Sequence, residues 1–363
     1  MNLNCEFPIN GLSFGAIAHG ITTQLFERGI SPNIFPIGNP DLSVYDKASE
    51  DYKLWLQGCL NKATTRFKKD FPGLKLWHIT NSWHKISNKQ SLLTFFELDQ
   101  ITDTEKNILN QQDKIFVTST ETKQVFEDYG VTVPVIYTPM GFDPIHFKRL
   151  NKQYFNDGSI VFSLFGKFEK RKHTEKVVRN WVKRFGGDRR YRLHLHIHNV
   201  FYNEQQIQAT YQKMFDGKNP PFNVQIYPFL KNNSLLNDAF NVTNIVLDMS
   251  GGESISLPSL HCVALGKHAV IHHCSAMKDW TNEQNAVLVQ SNGKELVYDG
   301  VFFNQGNQFN QGNIYTWDEN EFIAACEKAI QRYEANPVNE AGFELQEKYS
   351  FKGGVDIILK EIN

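Results

Sequence analysis

The sequence predicts an α/β protein built as two Rossmann-like domains that face each other across a cleft. Three observations carry that expectation. Short apolar runs of strand length alternate with amphipathic stretches of helix length, as in parallel βαβ units. The alternation lapses in the polar stretch from Lys148 to Gly158 and restarts at Ile160. The chain has 363 residues, enough for two domains with a core each.

In the first half, residues 1–150, Phe7 to Gly29 reads as a strand end, a glycine loop (Gly11-Leu12-Ser13-Phe14-Gly15) and an amphipathic helix that stops at Gly29. Strands are expected at Ile34–Ile37, Leu74–Ile79, Ser91–Phe96, Lys114–Thr118 and Val133–Tyr137, followed by the turn-rich Pro139-Met140-Gly141-Phe142-Asp143-Pro144. The second half, residues 151–345, continues with strands at Ile160–Gly166, Arg192–Ile197, Val224–Tyr227, Ile245–Met249, Ala269–Ile271 and Ala286–Val289. Phe302 to Ile314, rich in Asn, Gln and Gly, reads as an irregular loop. The tail from Glu321 reads as helical, with 346–363 a last helix packing back on the first domain. Two such halves place a ligand cleft at the carboxyl ends of both sheets.

Composition narrows the function. The longest apolar runs are of strand length, so no membrane-spanning helix is expected. Met1 to Glu6 lacks the basic and apolar regions of a signal peptide, which points to the cytoplasm. Five scattered cysteines with no CxxC pair fit free thiols in that reducing compartment and supply no zinc motif. A formal charge of −1 carries no overall nucleic-acid signature, yet residues 151–215 are strongly basic. That segment is either a solvated helix face or a site for a polyanion or diphosphate.

The most informative stretch runs from Ser250 to Gly266. A short buried strand, Asn244–Met249, leads through Gly251 and Gly252 into a helix with an apolar face. The free N–H groups of Ser254, Ile255 and Ser256 and the positive helix end suit a phosphate. Glu253 would repel that phosphate but suits hydroxyls beside it, as on a sugar nucleotide. The alternative for Glu253 is a helix-start carboxylate favoured by the dipole.

Taken in order, these residues resemble retaining glycosyltransferases of the GT-B fold, close to family 4, with an Asn- and Phe-rich style similar to phage-encoded members. Five landmarks between residues 11 and 266 carry the resemblance. They are the glycine loop, Thr118-Ser119-Thr120-Glu121-Thr122 before a helix, the Pro139–Phe147 turn, Gly166-Lys167-Phe168-Glu169-Lys170-Arg171-Lys172, and the Glu253 loop.

The resemblance implies roles. Lys167 and Lys172 stand at the family's two basic positions, where cations stabilise a diphosphate leaving group. Glu253 stands for the first acid of the E-x7-E motif, which holds hydroxyls of the donor sugar. The second acid, expected to hold the ribose, falls on His261, the main departure. A neutral imidazole still hydrogen-bonds a hydroxyl; alternatively, His261 is a buried helical histidine with a backbone partner. Phe229 and Leu230 fall where the base lies, and Ser13, Phe14 and Gly15 where the first domain approaches the phosphates. Glu97 and Asp99 are candidates for acceptor binding or proton acceptance, or for capping the helix from Asp103. No metal and no cofactor beyond the nucleotide-sugar is implied. Glu253→Ala is expected to abolish transfer with the fold intact.

The function expected is retaining transfer of a hexosyl or pentosyl group to a hydroxyl of a glycan, glycolipid or other acceptor. A second reading is a phage-type enzyme acting on 5-hydroxymethylated bases of DNA, its basic segment bordering the nucleic-acid groove. A third is a non-catalytic sugar-nucleotide-binding protein, which the His261 departure favours. His194, His196 and His198 alternate along one strand face, but no nearby acid or cysteine completes a zinc shell, so cover by a helix or by the basic segment is expected there.

Overall fold

The computed structural model describes residues 2–152 and 154–362; Met1, Asn363 and Gln153, the last inside the expected linker, lie outside them. The first domain is a six-stranded parallel sheet of β1 (Asn4–Phe7), β2 (Asn33–Pro36), β3 (Gly73–Leu76), β4 (Gln90–Leu93), β5 (Lys114–Val117) and β6 (Val135–Tyr137). Its spatial order is β2-β1-β3-β4-β5-β6. The near-continuous apolar strands fit burial on both faces, under α1 (Ser13–Glu27), α2 (Glu50–Thr65), α3 (Asp103–Asn110) and α4 (Thr120–Asp128). Local capping sets three helix starts: Ser49 on α2, a Thr102–Glu105 capping box on α3 and Ser119 on α4.

The second sheet comprises β7 (Ile160–Phe165), β8 (Tyr191–His196), β9 (Val224–Ile226), β10 (Ile245–Asp248), β11 (His268–His272) and β12 (Val287–Val289). They pair in parallel in the order β12-β11-β10-β7-β8-β9. Strand order reverses between β7 and β10, and in the first sheet between β1 and β3, so the two switch points mark the ligand crevice. Helices α5 (Thr174–Phe185), α6 (Glu204–Met214), α7 (Asn233–Val242), α8 (Leu257–Ala264) and α9 (Met277–Trp280) connect these strands. The chain ends in α10 (Glu319–Ala335), α11 (Leu345–Lys348) and α12 (Phe351–Ile362).

Two features differ from the sequence reading. Strands stop earlier than their apolar runs: β3 ends at Leu76 and β4 at Leu93, so His78, Phe95 and Phe96 leave the sheet at its carboxyl end. The last two residues of the expected irregular loop, Asn313 and Ile314, instead open a strand, β14 (Asn313–Trp317), pairing antiparallel with β13 (Ser291–Leu296). That pairing spans a long loop, so no local pattern announces it.

The last helix returns to the first domain. Phe351, Val355 and Ile358 join Ile17, Ile21 and Leu25 in one core, while Arg28–Asp356 (2.6 Å) and Lys114–Glu361 (2.8 Å) pair at its rim. At the crossing, Gly141 has φ +152, and a Cβ there would lie 2.6 Å from Ile255 Cδ1 and 2.8 Å from Leu257 Cδ2. Gly141→Ala is therefore expected to cost at least about 1–3 kcal/mol of backbone strain, read as a lower urea midpoint at unchanged slope. Among the described residues no helix is long and apolar enough to cross a membrane.

Candidate active site

The chain turns sharply where β7 ends. Gly166 has φ +124, a backbone region that glycine enters at little cost, and it sets Lys167 to Lys172 along the carboxyl edge of the sheet. From the adjacent β10 the chain runs through Gly251 and Gly252 to Glu253. The two segments meet at Arg171, which is almost fully buried. Its Nη2 pairs with Glu169 Oε1 at 2.6 Å and with Glu97 Oε1 of the first domain at 3.3 Å. Its Nη1 pairs with Glu253 Oε1 at 2.9 Å and donates to the Gly252 carbonyl. Lys172 Nζ pairs with the same Glu253 oxygen. Lys167 Nζ lies 3.7 Å from Glu169 Oε2 and over the rings of Phe302 (4.6 Å) and Phe201 (5.4 Å).

Glu97, Lys167, Lys172 and Glu253 are thus brought into one cluster across the cleft. Burial by itself would raise the Glu253 pKa, but Lys172 and then Arg171 outweigh it and hold the carboxyl at about 2. Glu97 moves the other way: burial raises it, Arg171 pulls it down, and the charges of Glu253 and Glu169 leave the net shift upward. Because the Glu253 pKa is depressed on folding, its stabilising contribution is present above its ordinary 4.5 and is lost as pH falls towards about 2. Glu253→Gln is expected to flatten that part of the acid limb, which denaturant midpoints at stepped pH will show.

The glycine segment places its groups differently. Glu253 N–H donates to Ser275 Oγ at 2.8 Å, and Ser254 Oγ donates to the Phe96 carbonyl at 2.7 Å. Thr118 Oγ1 donates to the Ser254 carbonyl at 2.8 Å, so this landmark ties the first domain to the loop. Ser256, at φ +57, donates through Oγ to Asp248, as does Ser259 at 2.6 Å. Among the described residues, no acceptor takes the backbone N–H groups of Ser254, Ile255 or Ser256, which stand at the start of α8.

On the opposite side, Phe14 packs against His78 (4.3 Å), Phe95 (4.8 Å) and Trp77 (5.6 Å), an aromatic wall. Burial, then the charge of Lys167, lowers His78 to about 4, so its imidazole is neutral. Ser13 is exposed and Gly15 buried against Asn10. Phe229 is exposed, near His198, while Leu230 is partly buried against the α8 core.

Two site residues sit away from this cluster. His261 Nδ1 donates to the Leu257 carbonyl at 2.6 Å and Nε2 accepts from Asp143 N–H at 3.2 Å. Its ring lies among Phe147, Phe142 and Phe240, and burial lowers its pKa to about 4. Both nitrogens are engaged, so in this conformation neither is free for a ribose hydroxyl. Asp99 accepts from Asn313 N–H (2.8 Å) and Lys294 (3.0 Å), tying the β13–β14 hairpin to the first domain. It does not cap the helix from Asp103; Thr102 does. In the histidine run, His196 stacks between Phe165 and Tyr227, so aromatic rings cover it.

Arg171, Glu169 and Asp248 were not singled out by the sequence. Arg171 lies in a run of lysines and arginines, and only long-range contact distinguishes it from a surface charge.

No protein-family model and no curated protein matches this chain. Solved structures do. Sucrose-phosphate synthase from Thermosynechococcus elongatus has a TM-score of 0.69 at 12% identity, covering 99% of this chain and 98% of that one. WaaG, a glycosyltransferase involved in lipopolysaccharide biosynthesis, has a TM-score of 0.62 at 9% identity, covering 100% of both chains. HepE from Anabaena, solved with UDP and glucose, has a TM-score of 0.61 at 12% identity, covering 100% of this chain and 99% of that one. At these identities the likeness is one of fold, and the chain has the GT-B architecture.

Proposed function

We propose that the protein is a retaining glycosyltransferase that moves a sugar from a nucleoside diphosphate donor to a hydroxyl. One observation carries the reading: Glu253 sits between two cations and beside three amides that have no acceptor among the described residues, where the carboxyl ends of both sheets meet. A diphosphate placed there meets Lys172, Lys167 and the start of α8, which stabilise the charge that develops as the leaving group departs. Glu253 accepts from sugar hydroxyls. Held by Arg171 and Lys172, it is a weak nucleophile, which favours same-face transfer with the leaving phosphate taking the acceptor's proton. The aromatic wall of Phe14, Trp77, His78 and Phe95 supplies an apolar acceptor side.

The UDP and glucose held by the Anabaena neighbour support a uridine donor. Side chains and the helix end supply the positive charge, so EDTA is expected to leave turnover unchanged. A glycan or small hydroxyl acceptor fits better than DNA. Part of the basic segment is already paired, Arg192 with Asp157 inside it and Arg179 with Asp216 and Arg184 with Glu327 outside it, each at 2.6 Å. Retention of the whole cation–carboxylate cluster argues against a protein that only binds nucleotides.

The test is incubation with a panel of nucleotide sugars, reading slow donor hydrolysis and the anomeric configuration of any product. No hydrolysis together with no thermal shift by any nucleotide would sink the reading. Salt-sensitive binding of hydroxymethylated duplex DNA would instead revive the DNA acceptor.

A further inference from the structure

We propose that Asp248 is a positioning residue for the donor phosphates: it holds Ser256 in a left-handed backbone and so keeps three amides open to an anion that Asp248 does not touch. The inference rests on the donor reading above and gives a task to a buried acid that the transfer chemistry does not use.

The segment from Ser254 to Ser256 is polarised. Its three carbonyls are all engaged: Thr118 Oγ1 donates to that of Ser254 at 2.8 Å, Trp280 Nε1 to that of Ile255 at 3.1 Å, and the Leu260 amide to that of Ser256 at 3.0 Å. Its three N–H groups have no acceptor among the described residues. Successive free amides ending in a left-handed residue make a concave site for an anion.

Ser256 carries the strain of this arrangement. It stands at φ +57 and ψ +69, where the Cβ crowds the following carbonyl oxygen. A serine that precedes a helix ordinarily takes extended backbone and caps a first-turn amide with its own hydroxyl. Ser256 does neither. Its hydroxyl donates to Oδ2 of Asp248, the last residue of β10, so the start of α8 is left uncapped for a ligand.

Asp248 is buried and takes three donors. The Ser250 N–H reaches Oδ1 at 3.3 Å, and the hydroxyls of Ser256 and Ser259 reach Oδ2, the latter at 2.6 Å. Burial raises the Asp248 pKa, and Lys172, which also pairs with Glu253, opposes that rise. Lys172 thereby offsets part of the negative charge that would repel a diphosphate. A left-handed serine persists only where its surroundings over-determine it, and such strain collects at binding sites. Without Asp248, Ser256 relaxes to ordinary backbone, the row of amides breaks, and donor affinity falls with the population of the left-handed form.

The test measures binding of UDP, GDP and ADP to the full chain by calorimetry, with the tightest as probe and a urea midpoint for every variant. Asp248→Asn is expected to weaken binding about five- to thirtyfold, the population penalty of a left-handed serine. Ser256→Ala keeps the Cβ and loses the tether, so it is expected to weaken binding as much. Ser256→Gly loses the same hydrogen bond but takes positive φ freely, and is expected to bind several-fold tighter than Ser256→Ala. Added to Asp248→Asn, Ser256→Gly is expected to restore affinity in the same way. Ser259→Ala takes a hydroxyl from the same Oδ2 without a strained backbone; it is expected to lower the urea midpoint and to bind as the parent does. A merely structural role would move affinity and midpoint together. The two Ser256 variants carry the test if Asp248→Asn does not fold. Parent-like affinity in Asp248→Asn, or equal affinity in Ser256→Ala and Ser256→Gly, would overturn the proposal and leave the donor reading standing. A parent that binds none of the three nucleotides would sink the donor reading, and the proposal with it.

Discussion

Arg171→Met is expected to lose about 3–5 kcal/mol of stability, because removing one partner from buried ion pairs leaves uncompensated charge. Glu97, Glu169 and Glu253 converge on this guanidinium, and the Gly252 carbonyl accepts from it too. The remaining cations serve them unevenly: Lys172 reaches Glu253, and Lys167 stands 3.7 Å from Glu169. Arg171→Lys keeps the charge, but one ammonium cannot replace a planar fork that spans acids from two domains, so an intermediate loss is expected. Urea midpoints of the three proteins at neutral pH decide this. A loss below about 1 kcal/mol for the methionine variant would mean that the pairs are solvated and nearly neutral in effect.

Glu253→Gln is expected to lower kcat for transfer by about 10²–10³-fold while destabilising the fold less than Glu253→Ala does. The amide oxygen still accepts from Arg171 and Lys172, but the charge that organises both cations around the donor is gone. The structure revises the simpler expectation for Glu253→Ala. That change strips a shared partner from two cations, so it is expected to destabilise the fold as well as stop turnover. The glutamine variant separates the two effects. Unchanged turnover in Glu253→Gln would remove Glu253 from the chemistry.

Much of the candidate site's geometry was legible because its signals are local. A strand, two glycines and a helix start are consecutive in sequence, and so are Gly166, Lys167 and Lys172; the spacing alone places them at strand ends. His261 was legible only as a departure. Its role depends on Asp143, 118 residues away, and on three phenylalanines, two on the interdomain turn and one on α7. Asp99 reads as a cleft carboxylate in sequence, yet its partners are Lys294 and Asn313 on a hairpin that no local periodicity marks.

The sequence by itself determined the α/β class and the loops that carry Lys167, Lys172 and Glu253. Periodicity, glycines and helix starts act within a few residues, and that is the range over which a pattern can be read. Only the tertiary structure decided which charges are buried. Arg171 and the neighbouring Lys170 are alike in sequence, but one is enclosed by three carboxylates and the other stays partly exposed at the hairpin. Desolvation and ion pairing depend on which distant groups fold against a side chain, and no nearest-neighbour pattern encodes that.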